Sequence, residues 1–416
     1  MNVVFHTLGC KLNFAESSSL AKQLQSRGHK KAQSGEHVDV CVLNTCSVTD
    51  AADHKGRQAI HRLRRQYPDA ILIVTGCYAQ LKPQEIVRMP EVDYVLGMNE
   101  KFSIPDFVDE LEKRVNHEEV SVGRIRETDS FHPSYSKDDR TRCFLKVQDG
   151  CDYFCTYCTI PYARGKSRNA DIQSTVREAQ NALNEGAKEL VLTGVNIGDF
   201  GKTTGEHFID LIKAIDSLEG EYRVRISSCE PNLLTDEIIE FVAHSRHFAP
   251  HFHIPLQSGS NEVLRIMKRR YTRELFKERV EHIRSVMPNA FIGVDCMVGV
   301  RGETKECFED YYKFVEGLPV SQLHVFTYSE REGTRMLELD LPVVPQKERK
   351  LRSDMMHRLS EQKLNDFYTQ HKGEEAVVLW ESKHSDGMMW GFTENYIKVS
   401  GVYDRKKVNT FEKIRI

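Results

Sequence analysis

The sequence predicts an α/β protein in three parts: an amino-terminal doubly wound parallel sheet, a central partial or full (βα)6 barrel and a small carboxy-terminal β-domain. Two observations carry the first two parts, because short apolar runs alternate with helix-like segments first before and then after a polar stretch, and such alternation builds parallel sheets. The third part rests on the switch to apolar–polar alternation between Gly373 and Ile416. At 416 residues the chain suffices for roughly two to four domains.

The first apolar runs are Val3 to Leu8, Val38 to Leu43, Ile71 to Val74 and Tyr94 to Leu96, separated by helical segments such as Phe14 to Arg27 and Asp50 to Tyr67. Residues 1–115 form this first domain. From 116 to 142 the sequence turns polar and loses its period, which predicts a linker. The second domain, 143–371, carries six strand-like runs: Phe144 to Val147, Glu189 to Leu192, Arg223 to Ile226, His251 to Ile254, Phe291 to Val298 and Leu323 to Phe326. A parallel barrel of such units places its site at the strand C-terminal ends. Residues 372–416 hold both tryptophans, Trp380 and Trp390, in the small β-domain.

No stretch approaches the roughly 20 apolar residues that span a bilayer, and the start MNVVFHTLGCKLN lacks the pattern of a secretion signal. The expectation is a cytoplasmic protein with no membrane partner. A net charge of −3 excludes a global pull toward nucleic acid, so any RNA contact must come from local basic patches.

Eleven cysteines, odd in number and unevenly grouped, suit metal or redox chemistry better than a disulfide framework. Cys151, Cys155 and Cys158 follow a strand and Gly150 with the spacing Cys-x3-Cys-x2-Cys, which can hold three irons of a cubane and leave the fourth open. Zinc, or simple buried thiols, is the alternative. Structural zinc wants four ligands, and the nearby Cys143 is expected to face the core from within its strand. Tyr153, Phe154 and Tyr157 are placed to shield a cluster from water. A second trio, Cys10, Cys46 and Cys77, falls after three successive strands, where loops of an open parallel sheet line one crevice. Gly9 and Gly76 beside them permit close backbone approach, whereas Cys41, inside a strand, is read as an ordinary buried thiol.

The central triplet resembles the signature of the radical S-adenosylmethionine (SAM) superfamily, whose open iron chelates SAM. The two trios followed by a small β-domain resemble one family over nearly the whole chain: the radical SAM methylthiotransferases. That resemblance implies a methylthiotransferase domain, a radical SAM barrel, a TRAM domain, two 4Fe–4S clusters and SAM. The metal ligands are then Cys10, Cys46, Cys77, Cys151, Cys155 and Cys158. Segments after later strands are expected to meet SAM through Gly194, Asn196, Ser228, Glu230 and Gln257, with a plain strand-end turn equally open for Gly194. The resemblance also implies that one SAM methylates a cluster-bound sulfur and another yields a 5′-deoxyadenosyl radical.

Gly9-Cys10-Lys11-Leu12-Asn13, Lys146-Val147-Gln148-Asp149-Gly150 and Ile160-Pro161-Tyr162-Ala163-Arg164-Gly165 look most like the branch acting on N6-threonylcarbamoyladenosine at position 37 of tRNA, next to the anticodon. Partners are then the tRNA anticodon stem-loop, an electron donor such as flavodoxin or ferredoxin, and a sulfur donor. The branches acting on isopentenyladenosine and on a ribosomal-protein aspartate are alternatives. Outside the enzyme class stand an iron–sulfur electron-transfer protein and a zinc RNA-binding protein. The family's Phe-Pro-Gly-Glu-Thr is Val300-Arg301-Gly302-Glu303-Thr304 here, and Glu16 is expected to face solvent on the first helix. RNA contacts are expected from Arg164, Lys166 and Arg168, from Lys268, Arg269 and Arg270 beside Tyr271, and from Arg405, Lys406 and Lys407 near Tyr403. The basic helix carrying Lys55, Arg57, His61, Arg62, Arg64 and Arg65 is equally readable as a solvated face.

Overall fold

The computed structural model describes residues 1–112, 119–136 and 141–416. Of the expected linker, 116–118 and 137–140 lie outside the described residues. The chain divides into two compact units: one holds the described residues of 1–136 with 149–152 and 158–168, and the rest of the described chain forms the other. Two segments around the central cysteines thus belong with the amino-terminal unit.

In the first unit, β1 (Asn2–Thr7), β2 (Lys30–Lys31), β3 (Val40–Thr45), β4 (Ile71–Gly76), β5 (Tyr94–Leu96) and β6 (Val120–Ser121) form a parallel sheet of order β2-β1-β3-β4-β5-β6. Its last strand lies inside the stretch expected to be linker. A further short strand, β7 (Ser134–Tyr135), lies beside the first helix. Alternate residues of β3 and β4 explain the two-sided cover. Val40, Val42 and Ile73 pack with Leu20 and Leu24 of helix Lys11–Ser26, while Cys41, Leu43, Leu72 and Val74 pack with Ala59, Ile60 and Leu63 of helix Asp50–Gln66. Each fully buried aliphatic side chain contributes about 1.5–3 kcal/mol. Thr49 caps the second helix, its Oγ1 accepting from the Ala52 N–H at 3.2 Å.

In the second unit, β8 (Arg142–Lys146), β9 (Glu189–Thr193) and β10 (Arg223–Ile226) pair in parallel, as do β11 (His251–Gln257), β12 (Phe291–Val298) and β13 (Gln322–Thr327). Parallel bridges Val224↔Phe248 and Ser228↔His253 join the two sets, so six parallel strands follow one another in chain order. Among the described residues β13 does not pair with β8, and the barrel stays open. Helices Ile172–Asn184, Asp236–His244, Arg273–Val286 and Lys305–Glu316 start on the side-chain caps Asp171, Thr235, Thr272 and Thr304.

The carboxy-terminal strands β14 (Glu375–Ser385), β15 (Met388–Phe392), β16 (Lys398–Val402) and β17 (Phe411–Arg415) form an antiparallel half-barrel sheet of order β16-β15-β14-β17. Asp386 and Gly387 both adopt positive φ (51° and 74°), as a two-residue hairpin turn requires. Val378, Trp380 and Met389 make its core. Arg225 and Arg223 fasten it to the barrel by donating to the carbonyls of Thr393, Glu394, Val377 and Phe392. Both arginines also pair with buried Glu189. Burial disfavours that carboxylate's charge, but Arg225 and Arg223 outweigh it and hold the pKa below its usual value.

Candidate functional site

In the first unit, β1, β3 and β4 each end one to three residues before a cysteine. Cys10 is the N-cap of helix Lys11–Ser26, Cys46 follows Thr45, and Cys77 opens helix Cys77–Leu81. The Cys10 loop lies directly on Cys46: a Cβ on Gly9 (φ 99°) would sit 2.5 Å from the Cys46 Cβ and 3.0 Å from its Sγ. Asn13 ties these loops together, its Nδ2 donating to the carbonyls of Leu8 and Thr45 at 2.9 Å each.

Burial pushes the Cys46 thiol up to about 12, and the nearby Cys77 and Cys10 add to that rise. Burial likewise raises Cys77, against the pull of Arg164. The buried thiols of Cys46 and Cys77 resist ionising alone, and a bound iron cluster would supply the positive charge that makes them thiolates. The donor set fits such a cluster. Gly76 (φ 97°) fixes the third loop, because a Cβ there would lie 2.4 Å from the Thr45 carbonyl oxygen. Gly76→Ala is therefore expected to cost about 2 kcal/mol or more. A lowered thermal midpoint with loss of amino-terminal iron checks this.

Beneath the cysteine loops lies a buried charge cluster. Arg164 donates to Glu16 Oε1 at 3.1 Å, Asp149 Oδ1 at 2.9 Å and Asn13 Oδ1 at 2.6 Å; Lys101 Nζ meets Glu16 Oε2 at 2.6 Å. Arg168 pairs with Asp149 Oδ2 at 3.2 Å. These contacts correct three expectations. Glu16 does not face solvent: it is fully buried, because its position on the first helix points at the sheet ends rather than outward. Arg164 (1% exposed) and Arg168 are interior, where a phosphate cannot reach them. Helix Asp50–Gln66 also commits much of its charge internally: Arg64 bonds Asp93 and the Glu91 carbonyl, and Arg57 bonds Tyr78 and Glu85.

Of the central triplet, Cys151 and Cys158 belong to this first unit. The Cys151 N–H donates to the Gly165 carbonyl at 3.0 Å. Gly150 (φ 69°) admits no side chain, since a Cβ would meet the Lys166 carbonyl oxygen at 1.8 Å. Thr159, next to Cys158, reaches the carbonyl of Ser47, next to Cys46, at 3.4 Å.

Cys155 belongs to the second unit and is buried there. Arg269 donates to its Sγ at 3.0 Å and to the hydroxyls of Tyr271 and Tyr157, and it pairs with Glu230. Burial raises the Cys155 pKa while Arg269 opposes it, so Arg269 favours the thiolate. Arg269 was expected at the RNA; its nearly buried guanidinium is instead committed to Cys155 and Glu230. Its only sequence signal is the basic run Lys268 to Arg270.

Other strand-end residues differ in what they offer. Among the described residues the Asn196 Oδ1 and the Ser227 hydroxyl are buried without a hydrogen-bond partner, which is what a polar ligand in this unit would satisfy. Ser228 is partly exposed and bridges to His253. Gly194 serves packing: a Cβ would strike Ile197 at 2.7 Å and Gln148 Oε1 at 2.8 Å. Gln148, not singled out from sequence, accepts from the N–H groups of Val195 and Asn196 at 2.9 Å and shapes that turn. Gln257 (φ 63°) and Phe154 (φ 50°) hold left-handed backbone conformations, each a strain of roughly 1–3 kcal/mol of the kind found at functional loops. Lys166, Arg405 and Lys406 are exposed; Lys407 pairs with Glu412 at 2.7 Å.

Residues 2–97 match the family described as uncharacterized protein family UPF0004, and 145–315 match the radical SAM superfamily. The chain is 37% identical over 409 residues to the threonylcarbamoyladenosine tRNA methylthiotransferase MtaB of Bacillus subtilis, covering 95% of this chain and 89% of that one. It is 31% identical over 423 residues to a tRNA-2-methylthio-N(6)-dimethylallyladenosine synthase of Clostridium botulinum, covering 99% and 93%. Among solved structures, the radical SAM methyltransferase TsrM of Kitasatospora setae shares the fold, with a TM-score of 0.60 at 14% identity over 81% of this chain and 77% of that one. Cysteine trios at strand ends, a six-stranded open barrel and near full-length identity meet in one conclusion: the chain belongs to the radical SAM methylthiotransferases, in the branch of the threonylcarbamoyladenosine tRNA enzymes.

Proposed function

We propose that the chain methylthiolates C2 of N6-threonylcarbamoyladenosine at position 37 of tRNA, with SAM and one 4Fe–4S cluster held by Cys151, Cys155 and Cys158 and a second cluster held by Cys10, Cys46 and Cys77. The observation that carries the reading is the pairing of two cysteine trios at strand ends with near full-length identity to enzymes of that name. The organisation is a methylthiotransferase domain that runs past 115 to include β6, a radical SAM domain over 143–371 and a TRAM domain over 372–416. An electron donor of the flavodoxin or ferredoxin kind and a sulfur donor complete the system.

C2 of adenine is neither acidic nor electrophilic, so a general base cannot activate it. When bound, the cofactors supply radical and sulfur chemistry in place of acid–base chemistry. The protein's part is positioning. Arg269 donates to the Cys155 Sγ and opposes the burial that favours its thiol form, and Asn196 and Ser227 present unsatisfied polar atoms to SAM. Tyr153 is buried with its hydroxyl fixed by Asn232 at 2.9 Å, and it helps exclude water. Arg164 and Lys101 place buried positive charge near Cys77. Exposed Lys166 and Lys406 are the phosphate contacts this reading retains.

Mass spectrometry of tRNA nucleosides tests it. Cells lacking the protein are expected to lose 2-methylthio-N6-threonylcarbamoyladenosine and keep the unthiolated nucleoside; unchanged thiolation sinks the reading.

A further inference from the structure

Three neighbouring strands of the barrel bring a polar group to one face. His253 Nε2 of β11 lies 2.7 Å from Asp295 Oδ1 of β12, and His324 Nδ1 of β13 lies 3.3 Å from that same oxygen. The opposite face of these strands belongs to the helices: Cys296 engages Tyr311 of helix Lys305–Glu316, Ser360 of helix Gln346–Gln370 holds the Leu323 backbone, and Phe252, Ile254 and Val294 are buried. Side chains alternate along a strand, so His253, Asp295 and His324 face the barrel interior. They remain open to it, with side-chain exposures of 20%, 15% and 39%.

Because Asp295 accepts from the near nitrogen of each ring, it fixes both tautomers and leaves His253 Nδ1 and His324 Nε2 as the working atoms. Among the described residues neither atom has a hydrogen-bond partner. Two residues farther along the same face of β13, about 6.6 Å away, Phe326 is 39% exposed. An exposed aromatic ring toward the strand end offers a stacking surface for a base. The His253 carbonyl accepts from the N–H of Cys229 at 3.1 Å, next to Glu230, which pairs with Arg269, which bonds Cys155. The polar group therefore lies on the cysteine-facing side of the barrel.

We infer that His253, Asp295 and His324 form the subsite for the N6 substituent of the substrate adenosine, reading its ureido, hydroxyl and carboxylate groups while the adenine stacks on Phe326. The inference rests on the tRNA methylthiotransferase reading above and names how its substrate is selected. A threonylcarbamoyl group carries ureido, hydroxyl and carboxylate groups, each able to hydrogen-bond a histidine nitrogen. A dimethylallyl group offers none, and burying two histidine nitrogens against hydrocarbon leaves them unsatisfied. Sites built to hydrogen-bond a substrate group reject analogues lacking it far more strongly than apolar pockets discriminate by size.

The test compares two anticodon stem-loop RNAs of one sequence, carrying either N6-threonylcarbamoyladenosine or N6-dimethylallyladenosine, with reconstituted holoenzyme. The wild type is expected to favour the first in kcat/KM by at least about a hundredfold. His324→Leu should shrink that ratio tenfold or more, mainly through a higher KM for the threonylcarbamoyl RNA. His324→Gln, which keeps a hydrogen-bonding end, should fall between. An unchanged ratio in His324→Leu overturns the subsite. If that variant loses its cluster on purification, His253→Gln decides on the same ratio. Wild-type turnover of the dimethylallyl RNA alone instead overturns the functional reading itself, a separate result.

Discussion

Replacing Cys151, Cys155 or Cys158 by alanine is expected to abolish reductive SAM cleavage, whereas Cys10→Ala, Cys46→Ala or Cys77→Ala should spare at least some cleavage and stop methylthio transfer. The two trios follow from different parts of the sheet architecture. One sits on the loop after β8, the other on the loops after β1, β3 and β4. A trio that leaves one iron open has no spare ligand, so a single loss empties the site rather than weakening it. The rate enhancement then vanishes almost entirely, which for typical enzymes means about a million-fold or more. Counting 5′-deoxyadenosine and methylthiolated nucleoside in the same anaerobic reaction separates the two sets. Retained methylthio transfer in Cys46→Ala would falsify the two-cluster account. Iron analysis tests the proposed arrangement: with one cluster of the same type on each trio, each class of variant should lose about half the iron of the wild type.

The architecture was legible because parallel strands buried on two faces are continuous apolar runs. Tyr94–Leu96, Arg223–Ile226 and Phe291–Val298 have the bounds their residue patterns indicate. Cys41 and Cys143 were legible as buried strand thiols for the same reason. The cysteine trios could be read because strand ends are where loops converge. What escaped the sequence were charges whose partners are distant in the chain. Glu16 meets Lys101 across 85 positions and Arg164 across 148, so nothing local distinguishes it from a surface helix carboxylate. Arg164, Arg168 and Arg269 looked like phosphate contacts because a basic run advertises charge and hides burial. His253, Asp295 and His324 stand on three strands, and only the parallel register Asp295↔His324 with β11 alongside brings them together.

Arg164→Ala is expected to destabilise the amino-terminal unit by about 3–5 kcal/mol, the range for removing one partner of a buried ion pair. The cost has an identifiable origin. Glu16 and Asp149 are both fully buried, and the guanidinium that answers them also holds the Asn13 side chain at 2.6 Å. Losing it leaves Asp149 only Arg168 and Glu16 only Lys101 among the ion pairs named here, and it frees Asn13 from one of its three anchors. Since Asn13 clamps the Cys10 loop to the Cys46 loop, amino-terminal iron should fall with stability. Arg164→Lys keeps the charge but loses the planar fork that spans Glu16, Asp149 and Asn13 at once, so it should recover only part of the loss. Pairing Arg164→Ala with Glu16→Gln in a double-mutant cycle tests the cause. If the buried charge is the origin, the double variant is less damaged than the sum of the singles, with a coupling of roughly 1–3 kcal/mol. Strict additivity would assign the effect to packing, and Lys101→Met should then be nearly silent. If the buried charge is the origin, Lys101→Met instead removes one of the two cations that meet Glu16 in the interior and costs a comparable amount.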